Sequence, residues 1–463
     1  MLNILLITIF YLFFITLAWP NMGRGIYLTI LLLPTYLIHF NLFNIPITLL
    51  EGMIVLLFIM WVIKLWQSKK LHIAIRKWLQ KTFRPEVERV TKTKRNLIPK
   101  ILALPILIFI IAATIALILT PQFFNGAGIW KAYFIEPLMF LGVLIYYLRK
   151  NSEINKIIYT LSILSLVIFV YALIQKLTGW NIPALDWYLP ETRRVTTFFG
   201  YPNANGLLLA PISVLIFATL WIKENASLKI LKFLSFISII LTSIWAGSEG
   251  ALIAIGVGML IILLAKKNTR FLATFLVLIF TVVVFVTPSL KTLAWEKLTI
   301  SDYSGQIRQA QWSETLSMLS DNPIMGGRLA NYQTAIKPYH SSGLTIDSKW
   351  QPVEIFLYPH NIIMNFWTEI GLLGLVGILW IFIVIGVLIY RINVKKKWLP
   401  KYKKEYITNM SLGLTASFVV LIIHGIVDVP YFKNDLSVLF WVMIGITIVI
   451  YNHTVNKNVA ELE

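Results

Sequence analysis

The chain has 463 residues, 58% of them hydrophobic and only 13% charged, with a mean hydropathy of +0.76 and no cysteine. A soluble domain carries about 25% charged residues, so this composition excludes an ordinary soluble globular protein and points to many membrane spans. The missing cysteine excludes disulfides, a thiol nucleophile and a thiolate metal site, and the meaning of the formal net charge of +20 depends on where the charges sit.

Apolar stretches of about 20 residues, or somewhat fewer, can cross the roughly 30 Å of hydrocarbon in a bilayer. Such stretches lie near 2–19, 26–43, 46–66, 101–120, 129–148, 157–177, 203–222, 229–246, 250–265, 271–288, 361–390, 407–428 and 433–451. The expectation is an all-α polytopic membrane protein with about 12–13 transmembrane helices. In chain order it divides into N-terminal spans (1–66), a basic cytoplasmic segment (67–100), a bundle (101–288), an extracytoplasmic loop (289–360), C-terminal spans (361–451) and a cytoplasmic tail (452–463). The first stretch has no basic lead-in and ends at Ala18-Trp19-Pro20 without a small-x-small cleavage pattern, so it reads as a retained span.

Segment 67–100 carries Ile75, Trp78, Leu79 and Phe83 at helical spacing among Lys69, Lys70, Arg76, Lys77, Lys81 and Arg84. It reads as a helix on the anionic inner leaflet, ending at Pro85, with an anchoring role. Placing it in the cytoplasm fixes the alternation: 30 of the 41 Lys+Arg then fall inside and 11 outside, against 7 of the 21 acidic residues inside and 14 outside or in the spans. The inside is +23 and the outside −3, the positive-inside pattern, so the basic balance reports topology and nucleic acid is not an expected partner.

In the bundle, Lys131 and Glu136 lie near the outer end of one span, where they pair structurally or meet substrate. Further on, Arg193 and Arg194 precede Thr196-Thr197-Phe198-Phe199-Gly200-Tyr201-Pro202-Asn203-Ala204-Asn205-Gly206, which leads into a span. Pro202 with Asn203 or Asn205 predicts a capped helix start, whose free N–H groups and dipole favour an anion. An arginine pair on the outer face runs against the positive-inside tendency.

The loop 289–360 holds six basic residues (Lys291, Lys297, Arg308, Arg328, Lys337, Lys349) and six acidic ones, and a loop this long is expected to fold and work. From Tyr303 to Ser320, Trp312, Leu316 and Leu319 at i, i+4, i+7 predict a helix, with Arg308 one turn earlier on the same face, stopping at Asp321-Asn322-Pro323. At the end of the loop His360 falls at or beside a helix cap, where the positive dipole end disfavours imidazolium and keeps the ring basic. Glu369, two turns into that helix, faces either a cleft or a packing partner, and His424 and Asp428, one turn apart, either relay protons or line the lipid groove or, by default, form a local hydrogen bond closing a helix.

Taken together, Phe199 to Asn205, Ser248-Glu249-Gly250-Ala251, Arg308-x-x-x-Trp312, Asn322-Pro323-Ile324-Met325-Gly326-Gly327, and His360-Asn361 followed by Glu369-Ile370-Gly371-Leu372-Leu373-Gly374 resemble the O-antigen ligase/polymerase superfamily of membrane glycosyltransferases. The motifs stand in the family's order over roughly 194–374. The resemblance implies a GT-C-like helical enzyme using a polyprenyl-diphosphate-linked saccharide donor, with Arg308 and His360 as catalytic residues, Arg308 on the diphosphate and His360 as general base. Arg194 and Arg193 are further candidates for the diphosphate, and Tyr201, Asn203, Asn205, Ser248, Glu249, Asn361 and Glu369 for substrate contact or support. The family has an arginine where this chain has Glu249, which leaves Glu249 to pair with a cation or bind a sugar hydroxyl.

No metal site or cofactor is expected, because the outer side lacks an Asp-x-Asp pair or a His/carboxylate cluster at ligand spacing. Arginines and helix N-termini then stabilise the leaving group, and inversion by direct attack of the acceptor hydroxyl is the expected course. Expected partners are the polyprenyl-diphosphate-linked donor, a glycan, lipid or protein acceptor, and membrane lipids. A flippase for lipid-linked saccharides is the alternative, disfavoured because polar residues gather at one surface and no internal repeat is visible.

Overall fold

The computed structural model describes residues 2–42, 45–67, 98–148, 151–346 and 349–455. The basic segment containing Ile75, Trp78, Leu79 and Phe83, and the tail beyond 455, lie outside the described residues. The longer helices in chain order are α1 (Leu2–Ala18), α2 (Met22–Leu31), α3 (Leu49–Gln67), α4 (Lys100–Leu119), α5 (Phe123–Tyr147), α6 (Asn151–Thr178), α7 (Asn203–Thr219) and α8 (Ala226–Trp245). They continue with α9 (Glu249–Ala265), α10 (Lys267–Val286), α11 (Pro288–Thr299), α12 (Tyr303–Asp321), α13 (Ile362–Lys395), α14 (Lys401–His424) and α15 (Asn434–Val455).

Among the described residues nine helices are long and apolar enough to cross a membrane: α3, α4, α5, α6, α8, α10, α13, α14 and α15. Shorter apolar helices lie in α1, α7 and α9. The protein is an all-α, multi-pass membrane protein. One expected span is absent: the stretch 26–43 gives only the ten-residue α2, a 3-10 turn at Leu33–Leu37, and a hairpin of β1 (His39–Leu42) and β2 (Ile45–Thr48) with His39 opposite Thr48. Pro34 is the physical reason, since it lacks an N–H and its ring clashes with the preceding turn.

Helix α13 lies along α4, α14 along α7 and α9, α8 along α6, and α15 along α5 and α13. Their apolar faces form one core that includes Phe109, Phe134, Phe366, Tyr431 and Trp441. Helix α10 is the opposite case: Ala273 is its only buried residue among those described, and Phe271, Phe280 and Phe285 are largely exposed. An apolar helix without a packed face is stable only against lipid.

Two breaks in helix geometry are explained by their sequences. In α5, Pro137 removes one backbone donor, and a π turn at Trp130–Ile135 precedes it. The carbonyls left without that donor find side chains: Tyr431 Oη donates to Tyr133 O at 2.8 Å and Asn434 Nδ2 to Ala132 O at 3.3 Å. In α13, Gly371 has φ +70° and Ile370 is also non-helical, splitting the helix. The loop after α12 fills the gap, with Leu372 N–H donating to Ile324 O at 2.9 Å and Arg328 N–H to Thr368 O at 2.9 Å. A Cβ on Gly371 would lie 2.5 Å from Ile324 O, so this approach requires glycine.

Helix α12 runs Tyr303–Asp321, as its spacing predicts, but its buried residues are Gly305, Gln311, Thr315, Met318 and Leu319. Leu316 is 48% exposed, so the packed face is rotated by about one residue from the expected stripe. Beside it lies a second hairpin, β3 (Gly343–Ile346) paired with β4 (Lys349–Pro352).

Candidate active site at the loop face

The connections before α7, between α8 and α9, from α10 to α13, and after α14 meet at one end of the bundle. Backbone bonds tie them: Val195 N–H to Trp245 O at 3.0 Å, and Ile362 N–H to Gly425 O at 2.8 Å. They enclose a cavity of about 260 Å³ lined by Arg194, Asn203, the turn Gly247–Gly250, Lys297, Asp302, Arg308, His424 and Asp428, with Ile253, Ile300 and Val427 supplying apolar wall.

Arg194 is fixed by the backbone around it. Its Nε donates to Ala246 O at 2.8 Å, and its Nη2 to Gly247 O and to Asn203 Oδ1, both at 3.2 Å. Gly247, at φ +60°, permits this contact, because a Cβ there would sit 3.0 Å from Arg194 Nε. Burial draws the Arg194 pKa down while Glu249 opposes the shift, and an arginine remains charged regardless. Arg308 is different: its side chain lines the cavity and has no hydrogen-bond or ion-pair partner among the described residues. A half-buried guanidinium without a protein partner is an anion site in waiting.

His360 stands next to this charge but is not among the residues lining the cavity. It precedes the N-cap of α13 with φ +45°; the cap is Asn361, whose side chain accepts from Ile363 and Met364 N–H. Helix α12 holds it in place: Gln311 Nε2 donates to Tyr358 O at 2.8 Å, Trp312 Nε1 donates to Pro359 O at 2.9 Å, and Gln311 Oε1 faces His360 Nδ1 at 3.1 Å. Since the amide nitrogen of Gln311 is committed to a carbonyl, its oxygen must accept, which puts the ring proton on Nδ1 and leaves Nε2 as the basic nitrogen. Burial lowers the His360 pKa below 6.5, with Asp428 pulling it up and Arg308 pushing it down in smaller measure.

Of the other expected site residues, Asn203, Ser248 and Glu249 are on the cavity wall with Arg194 and Arg308. Five are placed elsewhere. Arg193 donates to Tyr188 O, Lys176 O and Leu177 O, closing the end of α6. Tyr201 bonds Tyr358 Oη at 3.2 Å and lies 4.1 Å from the Lys433 ammonium, so it braces the loop behind the cavity. Asn205 is fully buried; it accepts from Thr197 Oγ1 and donates to Val195 O and Pro202 O, so neither it nor Asn203 caps α7 as the sequence suggested. Asn361 is a helix cap that also donates to Ile426 O. Glu369 accepts from Ala330 N–H at 2.8 Å beneath the loop docked into α13, so it is a packing partner and not part of the cleft.

Several wall residues were not anticipated as part of a site. Lys297, on α11, bonds Glu249 at 2.5 Å and Asp302 at 2.7 Å. Burial works against its charge, but the bonds to Asp302 and Glu249 prevail and raise its pKa. His424 and Asp428 do not bond each other: Asp428 Oδ1 accepts from Val429 N–H, and the buried Nδ1 of His424 has no partner among the described residues. The helix-closing hydrogen bond expected by default is absent among the described residues, and both side chains line the cavity instead. Lys131 pairs with Glu51 at 2.9 Å and more distantly with Glu136 at 3.9 Å, away from this cavity.

Residues 233–379 match a family model described as O-antigen ligase. The matched region spans Ser248, Glu249, Lys297, Arg308 and His360, whereas Arg194, Asn203, His424 and Asp428 lie outside it and reach the site through the fold. This match supports the O-antigen ligase/polymerase superfamily for the chain. No curated protein matches the sequence.

Proposed function

We propose that the protein is a membrane glycosyltransferase of the O-antigen ligase/polymerase type, working at the outer face of the cytoplasmic membrane. It transfers a saccharide from a polyprenyl-diphosphate-linked donor to an acceptor hydroxyl. The observation that carries this reading is Arg308, whose side chain has no hydrogen-bond or ion-pair partner among the described residues, in a cavity shared with Arg194 and close to His360, whose pKa burial lowers. Departure of a polyprenyl diphosphate loads negative charge on phosphate oxygens, and an arginine fork stabilises it where it develops. The acceptor hydroxyl loses its proton to His360 Nε2 as its oxygen forms the new glycosidic bond and the anomeric carbon–phosphate oxygen bond breaks, with inversion.

No metal enters this mechanism. Transfer measured in detergent with excess chelator is expected to continue, and His360→Ala is expected to lose it; loss on chelation, or full activity of the variant, would sink the mechanism. A second base is favoured by one specific observation: His424 lines the cavity and His360 does not. His424→Ala separates the two, because only the true base abolishes the acid limb of the pH–rate profile. Reconstitution tests the flippase alternative, since a transferase releases polyprenyl diphosphate only when an acceptor is present.

A further inference from the structure

The cavity wall carries two charge clusters of different character. One is Arg308 with His424 and Asp428; the other is Glu249, Lys297 and Asp302, and no ion pair joins the two among the described residues. In the second, the ammonium of Lys297 engages Glu249 Oε2 and Asp302 Oδ2. Glu249 Oε1 and Asp302 Oδ1 have no hydrogen-bond donor among the described residues, and the Glu249 side chain is 62% exposed. Two carboxylates and one ammonium leave this cluster with a formal charge of −1. Such a wall suits neither a phosphate nor an acidic group, whereas paired carboxylate oxygens accept well from neighbouring hydroxyls. The buried His424, elsewhere on the wall of the same cavity, has its Nδ1 without a partner among the described residues.

Resting on the transferase reading above, we infer that Glu249, Lys297 and Asp302 form the surface that reads the donor saccharide next to the diphosphate, selecting a neutral or amino sugar and rejecting an acidic one. The diphosphate lies with Arg308 and Arg194, and the first sugar turns its hydroxyls to the two carboxylates. A uronate at that position brings a third carboxylate against the pair, which is repulsive design against the wrong substrate.

The test uses the full-length protein in detergent with two polyprenyl-diphosphate saccharides that differ only at the first sugar, a neutral hexose in one and its uronate in the other. Wild type is expected to favour the neutral donor in kcat/KM by roughly tenfold or more. Glu249→Gln and Asp302→Asn, which each remove one negative charge, shrink that ratio; Lys297→Met, which removes the positive charge, widens it. Equal use of both donors by wild type overturns the inference, as does an equal fall for both donors in all three variants, the outcome of a clasp that is only structural. Arg308→Ala separates this failure from failure of the transferase reading: if it is inactive while wild type does not discriminate, the saccharide inference alone fails. If it transfers at the full rate with either donor, the transferase reading itself fails.

Discussion

Arg308 and His360 make contrasting demands on the residues around them. The Arg308 side chain has no hydrogen-bond or ion-pair partner among the described residues, so on the proposed mechanism its removal takes away a contact made to substrate and little else. Arg308→Ala is expected to lower kcat/KM by about 10²–10³, with Arg308→Lys recovering part of it, because a lysine supplies the charge without the planar fork. His360 is held by Gln311 and depressed by burial, so the neutral ring dominates at pH 7. The base must be neutral to act, so kcat/KM is expected to be flat around neutrality and to fall only as pH drops through a pKa below 6.5. A limb centred above 6.5 would show that His360 is not the base. Asn205 is a structural residue by the same kind of reasoning: Asn205→Ala strands the buried Thr197 hydroxyl and the Val195 carbonyl and is expected to cost about 1–3 kcal/mol in thermal unfolding while leaving donor KM unchanged in whatever fraction folds. At this scale the sequence singled out Arg194, Arg308, Ser248 and Glu249, the arginines by their scarcity on the loop face and the other two by the family resemblance, and the fold brings all four to the wall of one cavity. It could not distinguish Arg193 from Arg194, since adjacent side chains differ only in which carbonyls the fold offers them.

Among the elements, α13 and the loop before it explain why two sequence motifs accompany each other. Asn322 to Gly327 docks its backbone into the break at Ile370-Gly371, Trp367 Nε1 donates to Pro323 O, and Glu369 accepts from Ala330 N–H. These contacts make the segment Glu369 to Gly374 a clamp that fixes the large loop on the membrane bundle. Gly371→Ala forces a Cβ into Ile324 O and strains a positive φ, and it is expected to raise hydrogen exchange across 322–331 while leaving α15 protected. Unchanged exchange in that loop would refute the clamp. The periodicity of α12 was legible, but its packed face was off by one residue because Gln311 and Thr315, polar by composition, are the residues buried under Tyr358 and Tyr332. Similarly, hydropathy could not see that Pro34 turns the second apolar stretch into a short helix and a hairpin.

For the whole molecule, the proposed orientation rests on the partition of +23 and −3 between the two faces. A chain without cysteine lends itself to a direct check. Ser313→Cys, exposed on the loop face, is expected to react with a membrane-impermeant thiol reagent in intact cells, and Lys397→Cys, exposed at the far end of α13, only after permeabilisation. The reverse pattern would place the cavity in the cytoplasm and remove the basis for an outer-face enzyme.

Helix α10 ties the bundle to its surroundings in a further way. It is about 30 Å long at 20 residues, packs mainly against α9 and α11 among the described residues, and continues through Pro288 into the helix that carries Lys297. A span so weakly held by protein takes its tilt from the thickness of the bilayer. Thinner or thicker hydrocarbon therefore re-angles α10, and α11 transmits the change to the carboxylates that Lys297 bridges. On the proposed function, turnover in vesicles is expected to depend on lipid acyl-chain length, and donor preference to shift with it.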